Sequence, residues 1–302
     1  RHGRTQRPAH SAASGGLSMG SALPVKPSVS QWHASLSLHF TRRPNGCRLM
    51  RADRHGPLSV QRPFYPEGPE LAHSYILHPP GGLVSGDQLN IAIHTETGSR
   101  ALITTPGAGR AYRARESHTR QQQRQQLYLA DNASLEWLPM ETIVYPGAEL
   151  DSHNDFYLEG SARLIAWDVV CLGLPASQAP FTHGEFIQRS RVFHNGRLSL
   201  LDRFALRAPD PLQCGAAGLN GHSVIGLMLA GPFDSADELD ALIDALRLQS
   251  LPLAMTRLRE WLIIRYLGDS AFSARQAFVH AWAQVRPALL QRPACAPRIW
   301  AT

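Results

Sequence analysis

The chain has almost no lysine: Lys26 is the only one among 302 residues, against 29 arginines. A phosphate-gripping P-loop needs a Gly-rich turn closed by Lys, so nucleotide hydrolysis by that route is excluded. Schiff-base catalysis by a lysine beyond residue 26 is excluded with it. Cysteine is scarce too. Cys47, Cys171, Cys214 and Cys295 lie far apart without a CxxC pair, which suits reduced thiols in a cytoplasmic protein better than a disulfide framework or a zinc site. No G-x-S-x-G elbow marks a serine hydrolase, and the 14 histidines include no HxH or HExxH. Long apolar runs are missing. The best, residues 224–230, falls far short of the roughly 18 residues of a membrane span. No apolar stretch of secretory type follows the basic start.

What is present is unevenly spread. The net charge is +6, yet residues 1–62 carry ten Lys and Arg against the single acid Asp53, leaving the remainder at −3. A basic arm binds nucleic acid or anionic membrane, and an unfolded leader has the same composition. Residues 1–30 are rich in Ser, Gly, Pro, Ala and Arg without apolar periodicity, so they cannot offset the entropy of ordering. They are predicted to be a disordered leader, with Met19 a candidate truer start, and residues 31–302 a single domain.

From Trp32 to about Leu206, apolar and polar residues alternate in short runs broken by Gly, Pro, Asn and Asp, which predicts half-buried strands. Residues 34–40, 89–94, 100–104, 126–129, 143–145, 155–158 and 163–169 are the clearest. Turns are predicted at Asp131-Asn132 and at Asn195-Gly196, the latter a hairpin. This spacing argues for a sandwich, a barrel or an irregular two-sheet stack over a βαβ fold. Two helices are predicted late in the chain. One covers about 235–248 with Leu239, Leu242, Ile243 and Leu246 on one face. The other starts after Asp269 or Ser270, carries Ala274, Phe278, Ala281, Trp282 and Val285, and ends near Pro287. Residues 253–258 and 262–267 read as a strand pair between them, and no repeat of fixed period is visible.

Several segments could carry chemistry. Residues 81–87 (GGLVSGD) are Gly-rich but lead into a strand, leaving no helix N-terminus for a phosphate. They read as a tight turn, or as a turn that offers Asp87 to a passing cation. Asp151, His153 and Asp155 share one face of a strand, and either form a solvated face or act as imidazole and carboxylate ligands of a metal such as Ni(II). Glu67, Glu141 and Glu185 are candidate buried acids, and a pair of carboxylates could serve a carbohydrate hydrolase. Arg110, Arg113, Arg115, Arg120 and Arg124, interleaved with glutamines, read as a solvated hairpin with an Arg-rich edge or as a nucleic-acid contact.

Five segments in fixed order carry a resemblance: residues 56–68 (GPLSVQRPFYPEG), 81–89 (GGLVSGDQL), 104–113 (TTPGAGRAYR), 136–148 (EWLPMETIVYPGA) and 297–302 (PRIWAT). With 155–159 (DFYLE), 171–177 (CLGLPAS) and 265–268 (RYLG), they make the chain resemble the UreD (UreH) family of urease accessory proteins. The match runs from about Trp32 to the last residue. One departure stands out: Gly107, Gly109 and Arg110 occur where the family more usually has a TTPAATKxYR-like run, so no role is carried over to Arg110. The resemblance implies a mainly β, irregular stacked two-sheet, β-helix-like fold with two α-helices in the C-terminal half. It also implies a maturation scaffold with no catalysis of its own, which docks on apo-urease with UreF and the GTPase UreG. Nothing is tightly bound in that picture, and nickel is in transit. Asp87, Glu141, Asp155 and Glu185 are then expected to line the passage, and Phe278, Trp282 and Trp300 to face a partner. Neither nucleic acid nor membrane is expected as a partner. The alternative is a stand-alone β-rich hydrolase acting on carbohydrate.

Overall fold

In the computed structural model, which describes residues 32–115 and 119–301, the alternating runs become a winding path. The chain opens on a hairpin of β1 (His33–Arg43) and β2 (Gly46–His55), and β3 (Ser59–Val60) leads into β4 (Ala72–Leu77). From there it coils between two sheets. β5 (Gln88–Thr95) joins the first sheet and β6 (Arg100–Thr104) the second. After β7 (Gly109–Ala111), β8 (Gln121–Leu129) returns to the first and β9 (Ser134–Trp137) to the second. β10 (Thr142–Val144) precedes β11 (Glu149–Leu158) in the first sheet and β12 (Arg163–Leu174) in the second. Past β13 (Ala179–Pro180), a hairpin of β14 (Gly184–His194) and β15 (Arg197–Ala208) completes the first sheet. β16 (Val224–Gly231), β17 (Ala254–Leu258) and β18 (Trp261–Gly268) extend the second.

The successive coils stack in parallel. β1, β5, β8, β11 and β14 are parallel neighbours in the first sheet, as are β4, β6, β9 and β12 in the second. Antiparallel strands finish the edges. The predicted irregular two-sheet stack with two late helices is therefore what the chain forms. Three like turns carry it from first to second sheet, closed by hydrogen bonds of 2.9 to 3.1 Å from Ser99 to Glu96, Ala133 to Ala130 and Ala162 to Glu159. Each contains a left-handed residue, Gly98, Asn132 or Gly160, which Gly and Asn adopt at least cost. On the outer face of the first sheet the stacking is visible as a ladder of His39, His94, Tyr128, Tyr157 and Phe193, with ring centroids 4.4 to 5.1 Å apart.

One correction concerns the Arg- and Gln-rich stretch. Residues 100–104 and 126–129 do not flank a hairpin, because β6 and β8 belong to different sheets. The glutamines extend β8 back to Gln121, and Gln121 and Gln125 are buried. The predicted leader and Met19 lie outside the described residues.

Two apolar layers hold the stack. Leu36, Leu38, Phe40, Ile93, Leu127, Leu135, Leu158 and Leu164 pack between the sheets. Ile165, Trp167, Val169, Met228 and Ile264 face the other way, onto the helices. α1 (Ala236–Arg247) starts at Ser235, whose hydroxyl caps the Glu238 amide at 3.2 Å, and buries Leu239, Ile243 and Leu246. α2 (Ala271–Leu290) starts at Ser270, whose hydroxyl accepts from the Ser273 amide at 3.1 Å, and buries the whole predicted stripe. It runs three residues past Pro287. Pro removes one hydrogen bond, but buried Arg286 and Leu289 hold the final turn. Among the described residues no helix is long and apolar enough to cross a membrane.

Arg286 is fully buried and anchors α2. Its Nε donates to both oxygens of Glu136 at 3.0 and 3.1 Å, and its Nη1 and Nη2 donate to Glu67 at 2.8 and 2.7 Å. Burial opposes its charge, but the two carboxylates outweigh that and raise its pKa. Burial likewise opposes ionisation of Glu67, and the bonds from His73 and Arg286 overcome it, holding the carboxyl at about 2. Because that pKa is depressed, Glu67's contribution is complete above its ordinary value of 4.5 and is lost as pH falls through about 2. Replacing Arg286 by Ala strands two buried carboxylates, so urea unfolding should show a loss of roughly 3–5 kcal/mol at pH 7. A loss below about 1 kcal/mol would mean the network is not what docks the helix.

Candidate functional site

Alternation along the strands aims polar side chains at the space between the sheets, where apolar residues belong. Gln123 and Gln125 of β8, Ser152 and Asn154 of β11, and Gln188 and Ser190 of β14 all take inward positions. Register lines them up: Gln125 pairs with Asn154, Asn154 with Ser190, and Ser190 with Asp202 of β15. One polar row thus crosses the first sheet. On the facing sheet Asp168 of β12 aligns with Leu227 of β16 and then with Arg265 of β18. Two bonds join the sheets. Asn154 Nδ2 donates to Asp168 Oδ2 at 2.5 Å, and Arg265 Nη2 donates to Asp202 Oδ1. They stand two strands apart, about 10 Å at the usual spacing.

Asp168 lines two cavities. One, of about 350 Å³, is lined by Gln123, Gln125 and Asp168 and reaches His78, Thr105 and Arg110. The other, of about 960 Å³, runs from Asp168 past Gln188 to Asp202 and Arg265. Burial pushes the Asp168 carboxyl up to about 7, against the opposing bond from Asn154. Gln125 Oε1 and Asn154 Oδ1 are buried acceptors without a hydrogen-bond partner among the described residues. Burial also lowers the pKa of His78, against the pull of Asp87, which leaves a neutral imidazole at the far end of the first cavity. The donor set along the route is oxygen-rich with one nitrogen, and its members are spread out. Among the described residues, no group of three or more His, Cys, Asp or Glu is clustered to hold a metal.

The four acids expected along a passage are not brought together. Asp87 caps its own turn, accepting from the Val84 amide at 2.9 Å and the Trp32 amide at 3.1 Å. Glu141 pairs with Arg275 at 2.9 Å. Asp155 lies on the outer face of the first sheet and takes both bonds of Arg191 at 2.7 Å. Glu185 also faces outward, bonded to Arg207 at 2.8 Å and to Arg120. None of the four lines either cavity. Asp151, His153 and Asp155 do share one strand face; the Asp151 carboxylate accepts from Arg124 at 2.9 Å and lies 2.9 Å from His153 Nε2. The residues expected to face a partner differ in exposure. Phe278 and Trp282 are fully enclosed, Trp282 donates to Glu136 at 2.7 Å, and half-buried Trp300 packs on Trp167 and Trp282.

Sequence reading missed Asp168, Asn154 and the inward glutamines. A signal existed: Asp168 is the lone acid in the run LIAWDVVCL, the pattern of a strand buried on both faces.

The fold is a β-coil with two cavities that share Asp168 in their lining and a polar row across the first sheet. The profile of the UreD urease accessory protein family matches residues 33–301. A UreD urease accessory protein of Marinomonas sp. (strain MWYL1) is 43% identical over 285 residues, covering 91% of each chain. One of Psychromonas ingrahamii is 40% identical over 291 residues, covering 90% of this chain and 94% of its own. One of Alkalilimnicola ehrlichii is 42% identical over 284 residues, covering 93% and 94%. The chain belongs to the UreD family of urease accessory proteins.

Asp168 leaves a pH signature. Its folded pKa is raised from 3.8 to about 7, so its contribution to stability is complete below about pH 4 and is lost as pH rises through 7. Asp168→Asn lacks that loss. Between pH 5 and 8 the variant should gain roughly 1–4 kcal/mol on the parent in urea unfolding. A constant offset across that range would show that Asp168 is not held in a desolvated place.

Proposed function

We propose that this protein serves urease maturation as a nickel-passing scaffold. It docks on apo-urease together with UreF and the GTPase UreG, and it performs no reaction of its own. The observation that carries this reading is the interior polar row from Gln125 through Asn154 and Ser190 to Asp202, with Asp168 facing it and lining both cavities. The absence of a P-loop in the sequence puts nucleotide hydrolysis in a partner.

Nickel is the cargo. Carboxylate, amide oxygen and imidazole all accept a divalent ion, and their spacing suits passage because no position offers enough ligands to trap it. Asp168 is the strongest donor on the route, and its raised pKa shows a carboxylate that lacks a compensating cation. Next to it, the unpartnered oxygens of Asn154 and Gln125 are open to an ion. A stand-alone hydrolase would use Asp168 and Asp202, which line one cavity, but Arg265 already neutralises Asp202 there. The cytoplasm is the compartment this reading requires, and the four cysteines of the chain are free thiols.

The test is nickel content and activity of urease from cells carrying the urease operon with this chain deleted, restored, or restored as a variant. Restoration should return both, and Asp168→Ala should lower both by about tenfold or more, the loss of roughly 1.4 kcal/mol at a single station. Asp155→Asn, on the outer face, should load normally. Full loading by Asp168→Ala together with loss in Asp155→Asn would put the route outside the interior.

A further inference from the structure

The second cavity ends on a pair whose role the passage itself leaves open. Asp202 closes the polar row, its side chain 17% exposed, and Arg265 lies over it with a side chain 53% exposed. The neighbours in the row are bonded differently: Asn154 donates to Asp168, and Ser190 accepts from Asn154. The partners come from different sheets, Asp202 from β15 and Arg265 from β18, so their bond spans the gap between the sheets at the outer end of the cavity. Arg265 takes an inward position on β18, in register with Leu227 and through it with Asp168, two strands away. Its fixed positive charge therefore stands in the path of any cation leaving Asp168 in that direction.

We propose that Arg265 is a tethered counter-ion that closes this mouth and makes it answer to divalent cations. Resting on this protein's reading as a nickel conduit, the idea adds what controls the exit. With no ion present the guanidinium neutralises Asp202 and seals the mouth. An ion arriving from Asp168 competes with Arg265 for the same carboxylate. A divalent ion carries twice the charge of the guanidinium in a smaller radius and displaces it, while a monovalent ion gains too little to do so. The long half-exposed side chain has room to swing into solvent, and its charge is re-solvated there at little cost.

The test uses the isolated full-length chain and Ni²⁺ or Na⁺ alone, with binding followed by titration calorimetry and folding by thermal unfolding. Arg265→Gln should bind Ni²⁺ roughly 3- to 10-fold more tightly than the parent, the range expected for releasing one partly exposed ion pair. Arg265→Lys, which keeps the charge, should stay near the parent. The gain should vanish in Arg265→Gln with Asp202→Asn, which marks Asp202 as the contested ligand. Na⁺ should compete with Ni²⁺ measurably in Arg265→Gln and not in the parent. An unchanged Ni²⁺ affinity in Arg265→Gln with normal unfolding overturns the proposal, as does a gain that persists without Asp202. Failure of the conduit reading is seen separately, as normal urease loading by Asp168→Ala.

Discussion

The fold rests on one buried charge. Arg286 carries its guanidinium into a region with no water contact, and four carboxylate oxygens from Glu136 and Glu67 meet it. Glu136 belongs to β9 of the second sheet, Glu67 to the segment before β4, and Arg286 to α2. His73 of β4 adds a bond to Glu67 at 2.7 Å, and Trp282 adds one to Glu136. Sequence separations of 150 and 219 residues are thereby closed at a single point. A desolvated ion network of this kind adds little net stability over an apolar core, but it tolerates no alternative docking, since any slip leaves charges buried and unpaired. It fixes where α2 lies on the second sheet, and with it the flat wall that backs Asp168.

With that wall fixed, the coil sets the interior. Parallel stacking makes equivalent positions of successive coils adjacent, so a side chain type repeated from coil to coil becomes a row. On the outside of the first sheet one row is aromatic, and on the inside the rows are apolar toward one end of the strands, polar in the middle, and apolar again at Leu150 and Phe186. At the apolar end Leu127, Leu129, Phe156 and Leu158 fill the space between the sheets. In the polar middle Ser152, Asn154 and Ser190 point inward, Asn154 reaches Asp168, and Asp168, Gln125 and Gln188 line the cavities. Unpartnered amide oxygens and a lone carboxylate there work against stability, each on the order of 1–3 kcal/mol. A chain shaped for folding alone would place leucines at those positions.

Much of this was legible and some was not, for physical reasons. Periods of 2 and 3.6 residues mark strands and helices locally, so β1, β6, the Asn195-Gly196 hairpin and the stripe of α2 were readable. Pairing is not local. Nothing in residues 100–104 and 126–129 says that they enter different sheets, so a hairpin was the natural reading and a wrong one. The same gap explains the acids. Asp151, His153 and Asp155 attract notice as possible ligands, yet the outer face supplies Arg124, Arg189 and Arg191 from neighbouring strands to pair with them. Ser152 and Asn154, the residues between, are the ones that point between the sheets, where Asn154 reaches Asp168. Polar composition made the Gln121–Gln126 stretch look solvated, whereas register carries alternate glutamines inside.

The interior's chemistry also bears on direction. The end near His78 offers an imidazole whose pKa burial lowers, with Arg110 lining the same cavity, while the far end holds a carboxylate already paired with Arg265. Carboxylates are added along the interior from His78 to Asp168 to Asp202, with Arg110 lining the first end and Arg265 bonded to Asp202 at the second. On the conduit reading proposed above, the Asp202 end is the one at which a cation must displace a bound guanidinium, so the two ends of the interior are not equivalent for cargo.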